Sequence, residues 1–305
     1  METKIITNYQ IEQRKYWIDE ISHLSGDFGV DADKVEQEIS AEIKKDGLQS
    51  LIGHLRLCGA IPEIYGHDSS EEKLYSKYTD VVIHEAYSAM GFNSIVLKER
   101  ADVADVECVT DDYSFVADAK AFRLSRTAKN QKDFKVQAMD GWKHGKPYAM
   151  LVCPVYQLPS RASQIYQQAG ARSVCIGTYS HLAGLVRFAD KKGNNQSMEI
   201  LHEIFKSVEA MNPSKDANNY WQVVNRKMLS FDSTLSDFWK DEKQASLESI
   251  HISREEALIC LAKERERIMR LSKEEAIEEV LESRKIVNKI KAINSVGDNG
   301  LLDII

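Results

Sequence analysis

The sequence predicts an α/β fold in which a mixed central sheet is flanked by helices, with helical additions at the N- and C-terminal ends. In its middle part, a capped helical segment precedes two short apolar runs joined by a tight turn, and strand-like and helix-like segments then alternate. That order is typical of a mixed sheet packed between helices. The parts of the chain before and after this pattern are highly charged, and they favour helices.

Composition limits the class of protein. The chain has 305 residues, 43% hydrophobic and 29% charged, which is enough to bury one large core or two modest ones. No apolar run approaches the ~18 residues of a membrane span, and the N-terminus lacks a signal-peptide pattern, so we expect a cytoplasmic protein. The five cysteines are scattered and set mostly in apolar segments, which predicts reduced, buried thiols and no C-x-x-C metal site.

The predicted elements follow in chain order. Residues 9–52 predict two or three short helices around a break at residues 26–29. A helix begins near Ser70, because serine caps and acids precede an amphipathic run, and it ends at Gly91. Strands are predicted at residues 94–97, 105–110, 113–122, 148–155 and 173–178, with helices between the last three.

After Asn194 the chain becomes helical and charged. Ser253 and Ser272 each precede a Glu by three residues, which predicts capping boxes that open helices through roughly Ile293. Such helices most often serve as scaffold or dimer contacts. We therefore divide the chain into a helical N-terminal region (1–62), a core (63–193) and a helical C-terminal region (194–305), packed with the core as one unit.

The most informative segment is the strand at residues 113–122 and the basic run that follows it. Asp118 and Lys120 project to the same face of that strand, because side chains alternate along a strand. Basic residues then recur every three positions and give a local charge of +5 in a chain of net charge −7, which indicates a phosphate-binding patch. Its members are Lys120, Arg123, Arg126, Lys129, Lys132 and Lys135.

The register of the hairpin predicts a second acid. If Asp111 and Asp112 form a two-residue turn, Asp105 lies opposite Asp118, with Cβ atoms about 4.5 to 5.5 Å apart. Two carboxylates so close repel each other unless a proton or a cation lies between them, and oxygen ligands suit Mg²⁺. The carbonyl of Ala119 is a candidate third ligand. Asp102 and Glu107 are rival acids that rank below Asp105.

Simpler interpretations remain open for each of these residues. Asp118 and Lys120 could form an ordinary surface ion pair, and the basic run could be a solvated helix face. Residues three apart drift about 60° per step around a helix, however, so the basic residues cannot form a single stripe. On the first long helix, Glu72 and Glu85 are candidate auxiliary acids or merely capping and solvated acids.

The chain resembles the HindIII-type restriction endonucleases of the PD-(D/E)xK nuclease superfamily. The resemblance is nearly continuous over Val116–Lys120 and Phe122–Val136, and weaker at residues 72–77, 104–106 and 154–167, roughly the middle 40% of the chain. Two departures are a shorter hairpin and Ala104 in place of an expected glycine. The first 60 residues show no recognised similarity.

The resemblance implies a nuclease core in the middle region. It assigns catalysis to Asp105, Asp118 and Lys120, and Mg²⁺ binding to Asp105 and Asp118. It also implies cleavage of double-stranded DNA at a palindrome, A/AGCTT, with 5′-phosphate ends, by a homodimer whose companion methyltransferase acts on the same site without a stable complex. DNA contacts are expected from Arg123, Ser125, Arg126, Lys129, Asn130, Gln131 and Lys132, with a second readout surface at Gln157, Ser163 and Gln164.

Two alternatives remain at this stage. One is a nuclease of the same superfamily with another specificity or a DNA repair role. The other is a DNA-binding regulator without enzyme activity, which would need the basic run but not the set formed by Asp105, Asp118 and Lys120.

Overall fold

A computed structural model describes residues 4–98, 103–126 and 131–295, and the side chains of residues 131 and 132 are not described. Within these ranges five strands form one sheet in the order β1-β2-β3-β4-β5. The strands are β1 (Asn93–Val96), β2 (Val106–Val109), β3 (Ser114–Ala119), β4 (Tyr148–Cys153) and β5 (Val174–Thr178).

The sheet is mixed, as predicted. β1 pairs with β2 and β2 with β3 in antiparallel fashion, whereas β3 pairs with β4 and β4 with β5 in parallel. All five predicted strands are therefore present, with ends that differ by a few residues. β3 lies at the centre and is buried along most of its length, so its side chains are held on both flanks.

The N-terminal region forms helices, as predicted. They are α1 (Asn8–Ser22), α2 (Phe28–Asp46) and α3 (Leu48–Leu57). The break between the first two falls in the predicted place: Asp27 caps α2 through hydrogen bonds from the backbone of Gly29 and Val30.

The long helix α4 (Ser70–Ala89) begins where the sequence predicts it. Ser69 caps its N-terminus, and Gly91 follows its C-terminus with φ +99°, a conformation that favours glycine. The helix packs on β1, β2 and β3. Its Tyr87 ring meets the ring of Phe115 on β3 at a centroid distance of 5.1 Å. One face of the sheet is thus covered by α4.

The remaining helices of the core alternate with the parallel strands. They are α5 (Gln131–Phe134), α6 (Val136–Trp142), α7 (Gln164–Ala171), α8 (Tyr179–Lys192), α9 (Asn194–Glu209) and α10 (Ala217–Phe231). Four of these helices, α6 to α9, pack on β5, and α6 also contacts β3 and β4.

The C-terminal region is helical, with one error of prediction. Helices α11 (Ser233–Met269), α12 (Lys273–Ser283) and α13 (Ile286–Asn294) follow α10. The capping box at Ser272 is confirmed. The one at Ser253 is wrong: Ser253 is buried inside α11, because a serine with a glutamate three residues later also fits a helix interior.

The chain divides into two compact units, Met1–Ala257 and Leu258–Ile305. The predicted three-region division is not tested by this result and stays a prediction. Four of the cysteines are buried, and all five are free thiols. Among the described residues, no helix combines the length and the apolar character that crossing a bilayer requires.

A buried arginine ties the N-terminal helices to the first unit's core. We call Arg14, Leu57, Ala60, Tyr75 and Glu256 the Arg14 clamp. The guanidinium of Arg14 donates to the carbonyls of Leu57 (2.6 Å) and Ala60 (3.1 Å), to the hydroxyl of Tyr75 (3.1 Å) and to both carboxylate oxygens of Glu256 (2.9 and 3.0 Å). These contacts satisfy its five N–H donors.

Main-chain hydrogen bonds also join the end of α3 to the segment after β3. The Phe122 N–H donates to the Gly59 carbonyl at 3.1 Å, and the Ile61 N–H donates to the Phe122 carbonyl at 3.3 Å. Gly59 cannot be replaced here without movement, since a Cβ would lie 2.7 Å from Pro154 Cβ. The chain is therefore anchored shortly after the end of β3.

Candidate active site

The predicted register of the hairpin is confirmed. Val109 pairs with Ser114 and Val106 with Ala117, which places Asp105 opposite Asp118 just before β2 begins. The Asp105 N–H donates to the Ala117 carbonyl at 3.1 Å and extends the ladder by one bond. The Asp105 carboxylate is oriented by the Ala119 N–H, which donates to its Oδ2 at 3.2 Å. The two acids therefore meet as the alternation of side chains requires.

Asp118 lies near the end of the central strand and is only 2% exposed. Its Oδ2 is paired with Lys120 Nζ, so the buried carboxylate has one cation beside it. A second carboxylate, that of Asp105, lies opposite it in the hairpin. A divalent cation between the two carboxylates would offset their repulsion.

Lys120 is held at both of its main-chain groups. Its N–H donates to the Val152 carbonyl of β4 at 2.7 Å, and its carbonyl accepts from the Tyr179 hydroxyl at 3.1 Å. Burial alone would lower the pKa of Lys120, but the charges of Asp118 and then Asp105 outweigh burial and raise it. The side chain is therefore a fixed ammonium, suited to donate hydrogen bonds and to offset negative charge.

Asp80 on α4 is a further acid at this site, and the sequence interpretation missed it. It is 2% exposed, and its Oδ2 lies 2.8 Å from Lys77 Nζ. Burial raises the pKa of Asp80 to about 6, with Lys77 opposing the shift and Asp118 adding to it. The available signal was the spacing of Lys77 and Asp80, two opposite charges three residues apart within the predicted helix.

The pKa of Asp105 rises for related reasons. Burial is the largest cause, followed by the negative charges of Asp80 and Asp118, and the rise takes it well above the ordinary value. We call Lys77, Asp80, Asp105, Asp118 and Lys120 the Asp–Lys cluster. Three carboxylates face two ammonium groups, so one formal negative charge is in excess.

The candidate auxiliary acids of the sequence interpretation are engaged elsewhere. Glu85 accepts a hydrogen bond from the hydroxyl of Ser40. Glu72 lies 3.3 Å from Arg123 Nε and accepts from the Asp68 N–H at 2.7 Å. Both lie on α4, as expected, but Asp80 is the α4 acid whose charge acts on Asp105 and Asp118.

The rival acids have different outcomes. Glu107 pairs with Lys146 at 2.8 Å and is opposite Val116 in the sheet, so it has a cation of its own away from Asp118. Asp102 lies outside the described residues. The preference for Asp105 over Glu107 therefore agrees with the geometry.

The start of the basic run is turned towards the protein. Arg123 Nη2 donates to the Gly66 carbonyl at 2.9 Å, and its Nη1 lies 3.8 Å from the Glu63 carboxylate. Ser125 donates to the same Glu63 through its N–H (3.1 Å) and its hydroxyl (2.9 Å). In this structure Arg123 and Ser125 anchor a loop, and their contacts with DNA stay a prediction.

The other predicted DNA-binding residues are only partly described. Arg126 pairs with Asp133, and its guanidinium lies 5.3 Å from the Phe122 ring centroid. Lys129 and Asn130 lie outside the described residues, as do the side chains of Gln131 and Lys132, whose backbone opens α5.

The three residues of the predicted second readout surface lie in two different places. Gln157 is buried, and its side-chain amide donates to the Arg123 carbonyl at 3.3 Å, so it supports the basic run from beneath. Ser163 caps α7, and Gln164 is the first residue of that helix. A readout role for these residues is not tested.

The chemistry of the Asp–Lys cluster fits a divalent metal ion. Its donors are carboxylate oxygens, which hard cations prefer. Burial and then the neighbouring acids raise the pKa of Asp80 and Asp105, and a positive charge between these carboxylates would favour their ionised forms. A tighter group of possible ligands exists elsewhere in the described residues, at His67, Asp68 and Glu72, but His67 and Asp68 are exposed and Glu72 is paired with Arg123.

Comparison with known proteins decides the family. The model of the HindIII restriction endonuclease family matches residues 14–297. The chain belongs to the HindIII restriction endonuclease family. It is similar to the type II restriction enzyme HindIII of Haemophilus influenzae, with 34% identity over 262 residues, which cover 83% of this chain and 85% of the relative.

Membership in the HindIII family settles the class of enzyme, a type II site-specific deoxyribonuclease. It also corrects the extent of the recognised similarity. The match begins at residue 14 and so includes most of the N-terminal helices, where the sequence interpretation recognised none. Those helices match no short motif, which is why only a whole-chain comparison detects them.

Proposed function

We propose that this chain is a Mg²⁺-dependent type II restriction endonuclease that cleaves double-stranded DNA at A/AGCTT and leaves 5′-phosphate and 3′-hydroxyl ends. The observation that carries the proposal is the opposition of Asp105 and Asp118 across the hairpin, with Lys120 beside them on one surface. The specificity comes from the family relationship, since HindIII is the enzyme that the chain resembles over most of its length.

In the proposed mechanism Asp105 and Asp118 would hold Mg²⁺, and the Ala119 N–H keeps the Asp105 carboxylate oriented. When bound there, the ion would supply electrostatic stabilisation of the charge that develops on the scissile phosphate. Lys120 orients the attacking water through its ammonium, which Asp118 anchors. Attack of the water oxygen on phosphorus forms one P–O bond and breaks the bond to the 3′ oxygen. The water gives up a proton to solvent and the leaving 3′ oxygen takes one from solvent, so the products are a 5′-phosphate and a 3′-hydroxyl.

The test is digestion of a plasmid library that carries a randomised hexamer, with Mg²⁺, followed by sequencing of the cut ends. We expect enrichment of AAGCTT cut after its first base. Cut ends at another sequence would contradict the specificity but not the class of enzyme. The matched variant Asp118→Asn is the control for a contaminating nuclease. Its preparation should not cut the library, and any cleavage that remains comes from a contaminant.

A homodimer is the assembly that we propose. Equal half-sites of a palindrome require two equal active sites related by a twofold axis. A self-complementary face must carry both signs of charge, and α12 is rich in glutamate whereas α13 is rich in lysine. Both helices also expose large apolar side chains, namely those of Ile277, Val280, Leu281, Val287, Ile290 and Ile293.

Sedimentation of the whole chain tests the dimer. We expect a species of twice 34.6 kDa. Val280→Lys, placed among the exposed apolar residues, should shift the population towards monomer, whereas Lys240→Glu on the exposed part of α11 should not. A monomeric parent would contradict the assembly. A companion methyltransferase and a cytoplasmic location stay predictions of the family relationship and of composition.

A further inference from the structure

The Asp–Lys cluster contains two ion pairs of the same kind. Lys120 contacts Asp118 at the end of β3, and Lys77 contacts Asp80 on α4 at 2.8 Å. In each pair the aspartate side chain is 3% exposed and the lysine is more exposed, at 13% for Lys120 and 36% for Lys77. Each buried carboxylate therefore anchors an ammonium that extends towards solvent.

The Lys77–Asp80 pair differs from ordinary pairs on helices. A comparable pair three residues apart on α11, Lys240 and Asp237, is 72% and 76% exposed. Such exposed pairs contribute little to stability. Burial of Asp80 costs free energy that an apolar side chain would avoid, so stability does not explain an acid at this position.

The charge of Lys77 acts on the active site as well as on its own partner. Burial would lower its pKa, but Asp80 and then Asp105 and Asp118 outweigh burial and raise it, so Lys77 stays charged. Lys77 therefore adds a second ammonium to the carboxylates beside Lys120, and it does so without a metal ion.

We propose that Lys77 is a second phosphate-contacting cation of the active site, held towards the DNA backbone by Asp80 as a positioning residue. The proposal rests on the proposed nuclease function of the cluster. Its ligand is a phosphodiester oxygen of the bound duplex. Lys120 and Lys77 then approach the phosphates from two different elements, β3 and α4.

Binding without metal provides the first test. Anisotropy of a labelled duplex containing AAGCTT is measured in EDTA over a series of salt concentrations. Because each neutralised phosphate contributes about 0.9 to the slope of log K against log salt, Lys77→Met should reduce the slope by about one. Lys77→Arg should keep it. The control is Lys73→Met, which removes the same charge one turn earlier on α4 from an exposed position.

Single-turnover cleavage with Mg²⁺ provides the second readout. Lys77→Met should slow cleavage about tenfold or more, and Lys77→Arg should recover most of the rate. Asp80→Asn keeps an acceptor for Lys77, so it should keep the salt slope while lowering the rate. If Lys77→Met unfolds because Asp80 is left unpaired, the double variant with Asp80→Asn removes both charges and should still show the reduced slope.

The outcomes separate this inference from the proposed function. A parental salt slope in Lys77→Met or in the double variant overturns the phosphate contact, whatever happens to cleavage. Equal losses in Lys77→Met and Lys73→Met would show a general charge effect and would also overturn it. If the parent chain itself cuts no DNA with Mg²⁺, the proposed function fails, and the slope in EDTA still decides whether Lys77 contacts phosphate.

Discussion

The Arg14 clamp and the Asp–Lys cluster are both built from buried charges, yet they differ in how those charges are satisfied. Arg14 has an acceptor for each of its N–H groups. In the cluster, three carboxylates share two ammonium groups, and the pKa of Asp105 is raised by burial and by its acidic neighbours. Complete satisfaction is typical of architecture, whereas an excess of one charge indicates a site that binds something of the opposite charge.

The largest effect is expected from the functional side of this comparison. Asp118→Asn removes a carboxylate that is proposed to hold Mg²⁺, so the cleavage rate should fall by roughly 10³-fold. Single-turnover digestion of a defined plasmid measures it. Glu107→Gln, which alters an acid paired with Lys146, should stay close to the parental rate. Cleavage by Asp118→Asn at the parental rate would contradict the assignment of the Asp–Lys cluster to catalysis.

A substitution in the Arg14 clamp should lower the free energy of unfolding and leave the cleavage rate unchanged. Glu256→Gln leaves the Arg14 guanidinium buried without its counter-charge, so the free energy of unfolding should fall by about 3 kcal/mol. Urea denaturation measures the loss, and the neighbouring exposed Glu255→Gln serves as control. Plasmid cleavage at 25 °C should be retained. A large loss of cleavage with unchanged stability would assign the clamp to the active site.

Removal of an acid from the cluster should stabilise the folded chain, whereas Glu256→Gln in the clamp destabilises it. A raised pKa means that ionised Asp105 is less favourable in the folded chain than in the unfolded one. In EDTA, the free energy of unfolding of Asp105→Asn should therefore equal that of the parent or exceed it by up to about 1 kcal/mol. Added Mg²⁺ should raise the melting temperature of the parent but not of this variant. A marked loss of stability in EDTA would mean that the cluster is architectural.

The last prediction concerns pH and a buried group that is neutral. Burial lowers the pKa of His181 to about 4, with the hydrogen bond to Asn225 opposing the shift. In the unfolded chain the His181 imidazole takes up a proton near pH 6.5. The stability contributed by neutral His181 is therefore complete above that pH and is lost as the pH falls towards 4. Between pH 7 and pH 5 the loss should be roughly 2 kcal/mol. His181→Gln should flatten that part of the stability profile, and an unchanged profile would contradict the assignment.

Local patterns in the sequence were sufficient for the strands and the hairpin. The register that sets Asp105 opposite Asp118 follows from alternation and a two-residue turn, and it is confirmed by the pairing of β2 with β3. Asp80 could not be found in this way, because its position depends on how α4 packs across the sheet. The same limit applies to Arg123, whose partners Glu63, Gly66 and Glu72 lie far away in sequence.

Capping signals were less dependable than strand signals. Ser272 and Ser253 have the same spacing to a glutamate, yet only Ser272 begins a helix. Ser253 is buried at 2% exposure within α11, a position that only tertiary packing explains.

The main-chain hydrogen bonds of Phe122 to Gly59 and Ile61 fix the backbone between Lys120 and the later residues of the basic run. They hold the backbone in place two residues after Lys120, at the point where the basic run begins. Under the proposed function, a substitution further along that run would change which bases are contacted without displacing the Lys120 ammonium. Recognition and cleavage would then be separable, so that a variant of the run could alter the sequence that is read and still cut.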